Sequence, residues 1–189
     1  MTRLPIPDRE TMTPAQRAVH DKIASGPRGR SAAIFNLISI SPDLCDVTQQ
    51  VGAYLRYSSK LSDRQREFAI CISSARSRAD YEWRAHRPLA VKAGVPEELL
   101  QAVGEGRRPD FTDDGDRIVH DYVTAALAKN GIPDATFEEA RSALGDELLM
   151  DLTGLAGYYS MLATFMLAFD LMPDPVEPRA PWREGSAPS

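Results

Sequence analysis

Residues 79–86 read ADYEWRAH. Glu82 and His86 stand four positions apart, with Tyr81 and Trp83 on either side of the glutamate. On an α-helix this spacing puts the carboxylate and the imidazole one turn apart on a single face. The same face continues through Leu89 or Ala90 to Ala93, so it turns apolar and is expected to point inward. A buried, unpaired charge is costly, so both polar side chains then need partners. Glu67 lies 15 residues before Glu82, on the preceding predicted helix. A short turn around Arg76–Asp80 folds the two helices into a hairpin and carries Glu67 toward the Glu82–His86 face. Two carboxylates and one histidine in a dry site push each other's pKa values apart, which is the condition for general acid–base work. Spacing alone leaves two other readings open: a solvated helix face, and a metal set of Glu67, Glu82 and His86.

Helix signals continue on both sides of this stretch. Thr13–Pro14 opens a helix as N-cap and first residue, and Ser41–Pro42 repeats the signal. Ser62–Asp63 opens SDRQREFAICISSARSR, in which Phe68, Cys71, Ile72 and Ala75 recur at helical spacing. Asp80 is the expected N-cap of the helix carrying Glu82 and His86, and Pro88 is expected to kink that helix or shift its start. Pro96, Thr112 and Thr136 open three further segments, and a last helix is expected over residues 146–171. No segment alternates with period two, so the predicted class is all-α. The apolar run LTGLAGYYSMLATFMLAFDL (152–171) contains Thr, Ser, Gly and two Tyr, and reads as a core helix rather than a membrane span. Of Tyr158 and Tyr159, one is expected in the core and one at the site. His20 and His120 stand off the apolar faces of their helices and read as surface residues.

The chain has 189 residues, 43% hydrophobic and 26% charged, which suits one globular domain. A net charge of −5 argues against a nucleic-acid partner, which calls for a basic footprint. No basic amphipathic stretch suggests a membrane surface. MTRLPIPDRE lacks the apolar core of a signal peptide, and neither Cys45 nor Cys71 belongs to a C-x-x-C pair. A reducing cytoplasm is the expected location. Residues 173–189, PDPVEPRAPWREGSAPS, form a Pro-rich tail beyond a domain of residues 1–172. The tail is expected to be disordered, or to lie as an arm on a neighbouring subunit.

Glu67, Ala79, Glu82 and His86 resemble the relay of alkylhydroperoxidase D, in which a glutamate is followed at these spacings by Cys, Cys and His. The wider chain, over roughly residues 10–172, is similar to the carboxymuconolactone decarboxylase family, which shares that fold. The matching segments are GPRG (26–29), SPDL (41–44), GAYLR (52–56), RQREFAI (64–70), YEWRAH (81–86) and AGVP (93–96). The resemblance implies an alkylhydroperoxidase D-like helical domain whose hairpin carries Glu67, Glu82 and His86 as catalytic residues. It also implies a homotrimer or homohexamer with sites near subunit contacts, and an interface including surface near residues 81–93. The departure is chemical, because Ala79 and Glu82 occupy the positions of the redox cysteines, so the thiolate mechanism has no thiols here.

What is left is proton transfer. The resemblance implies a lyase or isomerase needing neither metal nor organic cofactor, acting on a small, unsaturated, carboxylated molecule. His86 is the expected acid or base, Glu82 its orienting group or alternate carrier, and Glu67 the holder of the relay. Tyr81, Trp83, Arg28 and Arg56 are the candidate substrate-binding residues. The alternatives are a peroxide-handling protein using some other thiol, and a non-catalytic ligand-binding module of the same fold.

Overall fold

The computed structural model describes residues 2–128, 130–172 and 180–183. These form helices α1 (Pro14–Ser25), α2 (Ala33–Ile38), α3 (Pro42–Tyr57), α4 (Asp63–Ser77), α5 (Asp80–Lys92), α6 (Glu97–Gly104), α7 (Asp114–Ala126) and α8 (Asp134–Ala168), then a 3-10 turn at Pro181–Arg183. No strand occurs among the described residues. No helix among them is long and apolar enough to cross a membrane.

Local chemistry accounts for most helix starts. Thr13 closes a capping box with Gln16, and Ser62 closes one with Gln65, each satisfying two backbone N–H groups. Asp113, not Thr112, caps α7 by accepting from the Asp116 N–H at 2.9 Å. Ala79, not Asp80, is the N-cap of α5. Asp80 is the first helical residue, and its buried carboxylate lies 3.3 Å from Arg84 and accepts from the Ala180 N–H at 3.2 Å. Pro88 does not break α5. It sits on the exposed side, so the hydrogen bond it cannot donate is lost toward solvent. The last two predicted helices both form: the span α8 is two helices meeting at Gly145, whose φ of 77° only glycine takes readily. α2 has no side-chain cap and carries no start signal in the sequence.

The chain clusters into two compact units. The first comprises Met1–Ser59 with Thr164–Leu171. Here α3 packs against α1 and α2, and the Cys45 thiol donates to the Phe35 carbonyl at 3.3 Å. The N-terminal segment is tied down by the Arg3 N–H on the Phe169 carbonyl at 3.0 Å and by the Arg3–Asp170 pair at 2.7 Å.

The second unit comprises Lys60–Ala163 with Met172–Ser189, and α4 is its spine, packed against α5, α6 and α7. Every residue from Glu67 to Ser74 is buried. A helix covered on all sides must satisfy its polar groups internally. Ser73 and Ser74 do so by donating back to the carbonyls of Ala69 and Ile70, at 2.8 and 2.7 Å. At the start of α4, Arg64 grips Asp116 of α7 with two bonds of 2.9 and 2.6 Å and donates to the Gly94 carbonyl. At its end the chain reverses within two residues. Arg78 takes a left-handed conformation (φ 51°), and the N–H groups of Arg78 and Ala79 return to the carbonyls of Ala75 and Ser74. The hairpin expected around Arg76–Asp80 is thus closed by a Schellman turn.

Residues 173–179 and 184–189 of the Pro-rich tail lie outside the described residues. Ala180 to Arg183 dock on the chain's own second unit. Ala180 is buried, and Trp182 meets Trp83 edge to face with ring centroids 5.2 Å apart. Gly104, the last residue of α6, makes room for this contact: a Cβ there would stand 2.7 Å from Pro181 Cγ and 3.0 Å from the Trp83 ring. Alanine in place of a helical glycine ordinarily stabilises by about 0.5–1 kcal/mol. Here overpacking, on the order of 1–3 kcal/mol, wins. Gly104→Ala is therefore expected to lower the urea midpoint and to change the fluorescence of the Trp83–Trp182 pair. A midpoint at or above that of the parent protein would show that the turn does not press on α6.

Candidate functional site

The buried run of α4 contains one carboxylate, Glu67, and the facing helix α5 supplies its partner. His86 Nδ1 lies 2.7 Å from Glu67 Oε2, with both side chains more than nine-tenths buried. With Glu67 ionised, Nδ1 carries the proton and donates it, which leaves Nε2 as an acceptor. Tyr159 of α8 supplies the donor: its hydroxyl lies 3.3 Å from Nε2, and the two rings meet edge to face at 5.1 Å. Tyr158 stacks edge to face on Tyr159 and is itself buried. The order Glu67–His86–Tyr159 thus runs across three helices of one unit. Of the two adjacent tyrosines, Tyr159 is the one at the histidine.

Arg66 completes the surroundings of Glu67, with Nε 3.6 Å from Glu67 Oε1 and a side chain only 12% exposed. Sequence reasoning passed over it. The available signal was its position beside Glu67, since an arginine next to a buried carboxylate is the cheapest source of a compensating charge. Glu82 is buried on α5, one turn before His86. Its charge and that of Glu67 both push the Cys71 thiol up, so both carboxylates lie near that residue.

The other sequence candidates lie on α5 and in the first unit. Tyr81 is half-buried in the first turn of α5, and Trp83 is spent on packing against Gly104 and Trp182. Arg28 and Arg56 belong to the first unit. Arg28 donates to the Gln49 carbonyl at 3.1 Å and lies over the rings of Phe35 and Tyr57, while Arg56 lies 5.3 Å from the Tyr57 centroid. His120, expected at the surface, is buried on α7. Its ring packs beside Phe111 and bonds to Asp121, and these two contacts make burial of an imidazole tolerable.

Both thiols are fully buried and reduced. Burial, reinforced by the neighbouring Asp46 charge, pushes the Cys45 thiol up to about 12. Burial and then the Glu67 carboxylate push Cys71 higher still. A thiol needs its thiolate to attack a peroxide, and neither group forms one near neutral pH.

The Glu67–His86 bond makes a stability prediction. Glu67→Gln keeps an oxygen for the Nδ1 proton and should cost less than about 1 kcal/mol. Glu67→Ala leaves the imidazole without its acceptor and opens a cavity beside it, and should cost about 3–5 kcal/mol. Urea denaturation of the two variants side by side tests this. Equal losses would mean that the bond contributes nothing beyond volume.

No protein-family model and no curated protein matches the sequence. Among solved structures, the chain is similar to one described as an alkylhydroperoxidase AhpD core, an uncharacterized peroxidase-related protein from Ralstonia eutropha JMP134. The TM-score is 0.73 at 16% identity, over 92% of this chain and 93% of that one. At that identity the likeness speaks to architecture alone, and it shows that this chain has the all-α fold of the alkylhydroperoxidase D core.

Proposed function

We propose that this protein is a carboxymuconolactone decarboxylase-like enzyme, a cofactor-independent lyase or isomerase that moves a proton through His86. The observation that carries the reading is the buried Glu67–His86–Tyr159 relay, with bonds of 2.7 and 3.3 Å. Glu67 holds the imidazole in the tautomer that leaves Nε2 as the base. In an isomerisation Nε2 takes a proton from a carbon next to the substrate carbonyl and returns it at another position. In a decarboxylation the electron pair of the broken carbon–carbon bond becomes the enolate as carbon dioxide leaves, and a protonated His86, recharged from water, gives that enolate its proton at carbon. The Tyr159 hydroxyl, already at Nε2, donates to the enolate oxygen as charge develops there. Glu82 serves as the second carboxylate of the site and the alternate carrier of the proton. The substrate is a small unsaturated carboxylate, as the resemblance of the hairpin segments implies.

The competing reading is a peroxide-handling protein, which the peroxidase-related description of the structural neighbour keeps in view. The buried, protonated thiols count against it. The two readings separate in one experiment, with carboxymuconolactone-type lactone acids assayed for carbon dioxide release and an alkyl hydroperoxide assayed for reduction. His86→Ala is expected to reduce lactone turnover about 100-fold or more, the usual scale for a general acid–base. The Cys45→Ala, Cys71→Ala double variant is expected to retain it. Peroxide reduction by the parent protein that disappears in the double variant would overturn the proton-transfer reading, and a His86→Ala enzyme of unchanged turnover would overturn the relay.

The same resemblance implies a homotrimer or homohexamer, and α3 offers a surface for it. Leu44, Val47, Val51 and Tyr54 recur at spacings of three, four and three residues along one face of α3, each more than 40% exposed. Monomeric proteins rarely leave such a contiguous apolar stripe in water. The proposed occupant is a second copy of this chain. Light scattering after size exclusion should report a mass several times 20.8 kDa, falling toward that value in Val47→Glu, Val51→Glu. A parent protein that is monomeric at micromolar concentration would overturn the assembly.

A further inference from the structure

The second unit also contains a cavity of about 470 Å³ that none of Glu67, Glu82, His86 and Tyr159 lines. That volume suits a small ligand, since ligand pockets run from about 300 to 1,000 Å³. One wall is apolar, built from Ile72 of α4, Val103 of α6 and Ala125 of α7. The polar side is supplied by Arg76, Arg108, His120 and Asp121.

These polar groups are held in place. His120, with its side chain 9% exposed, has Nδ1 2.8 Å from Asp121 Oδ1. Asp121 also accepts from Arg108 at 2.8 Å, and Arg108 lies 5.2 Å from the centroid of Phe111, which packs beside His120. The carboxylate of Asp121 is thus engaged on two sides and fixes the proton of His120 on Nδ1. Nε2 is left as an acceptor, with no hydrogen bond among the described residues. Burial lowers the His120 pKa despite the Asp121 bond, and the charges of Arg108 and Arg76 lower it further, so the ring is neutral near pH 7. Arg76 is an exposed cation with no ion pair among the described residues. The cavity therefore offers an apolar wall, a free guanidinium and, on a side chain only 9% exposed, an imidazole nitrogen with no protein donor among the described residues.

We propose that this cavity binds a small carboxylate bearing a hydroxyl group, with its carboxylate at Arg76, its apolar body against Ile72, Val103 and Ala125, and its hydroxyl donating to His120 Nε2. The site is independent of the Glu67–His86 relay and stands whether or not that relay is catalytic. A carboxylate alone satisfies only the arginine. An inorganic anion ignores the apolar wall. A hydroxyl on an apolar carboxylate uses all three features, and an acceptor that the protein leaves without a donor discriminates ligands that carry a hydroxyl from those that do not.

The test uses the full chain with 3- and 4-hydroxybenzoate, benzoate and inorganic phosphate as probes. Calorimetry should find the better hydroxybenzoate binding about 5–10-fold more tightly than benzoate. Arg76→Gln should weaken both by about 10-fold. His120→Asn, whose amide can still donate to Asp121, should bring the hydroxybenzoates and benzoate to near-equal affinity. Nitrogen NMR of the parent protein supplies a readout that needs no variant: the Nε2 resonance of His120 should shift with a hydroxybenzoate and hold still with benzoate. No saturable binding of either hydroxybenzoate in the millimolar range would overturn the proposal. So would affinity indifferent to Arg76→Gln, an unmoved His120 resonance at saturation, or phosphate competing as well as a hydroxybenzoate.

Discussion

A helix buried on every side is the constraint from which the second unit follows. From Glu67 to Ser74, α4 has no solvent face, so each polar group along it must find its partner inside the protein. The serines manage this within the helix, by bonding to the preceding turn. Glu67 cannot, and its bond to His86 of α5 is the answer. Loss of that bond would take away the acceptor of the buried imidazole's Nδ1 proton, so the packing of α4 on α5 and the site geometry are linked. The two-residue reversal at Arg78–Ala79 lets α5 return along α4 closely enough for the bond to form.

The same burial that creates the pair silences the thiols. Cys71 lies one helical turn beyond Glu67, in the dry run of α4, where low polarity and a neighbouring carboxylate both oppose a thiolate. Desolvation here works in two directions. It strengthens the electrostatic hold of Glu67 on a histidine proton, which suits proton transfer. It also removes the one form of cysteine that does redox work.

His120 shows that burial of an imidazole does not require a carboxylate on another helix. Its partner is the next residue, Asp121, and the pair is steadied by Arg108 and Phe111 from the loop before α7. The two buried histidines of the unit differ in what they face. His86 has both nitrogens engaged, one by Glu67 and one by Tyr159. His120 turns one nitrogen to Asp121 and lines a cavity.

Much of this architecture was readable in the sequence, wherever the cause is local. The capping boxes of Thr13 and Ser62 act within four residues, and the Glu82–His86 spacing acts within one helical turn. A hairpin with a two-residue turn leaves little freedom in which faces meet, so the approach of Glu67 to His86 could be argued before any coordinates. What lay beyond the sequence are contacts whose partners are far apart along the chain. Tyr159 reaches His86 across 73 residues, Ala180 reaches Asp80 across 100, and α2 forms without a capping signal of its own. His120 has a polar face by periodicity, yet Phe111 and Arg108 cover it. Periodicity reports how a residue is disposed on its own helix, whereas burial depends on what the rest of the chain brings to that face. Helix positions and the core pair were therefore set by the sequence itself, while the third member of the relay, the docking of residues 180–183 and the cavity at His120 were decided by tertiary packing alone.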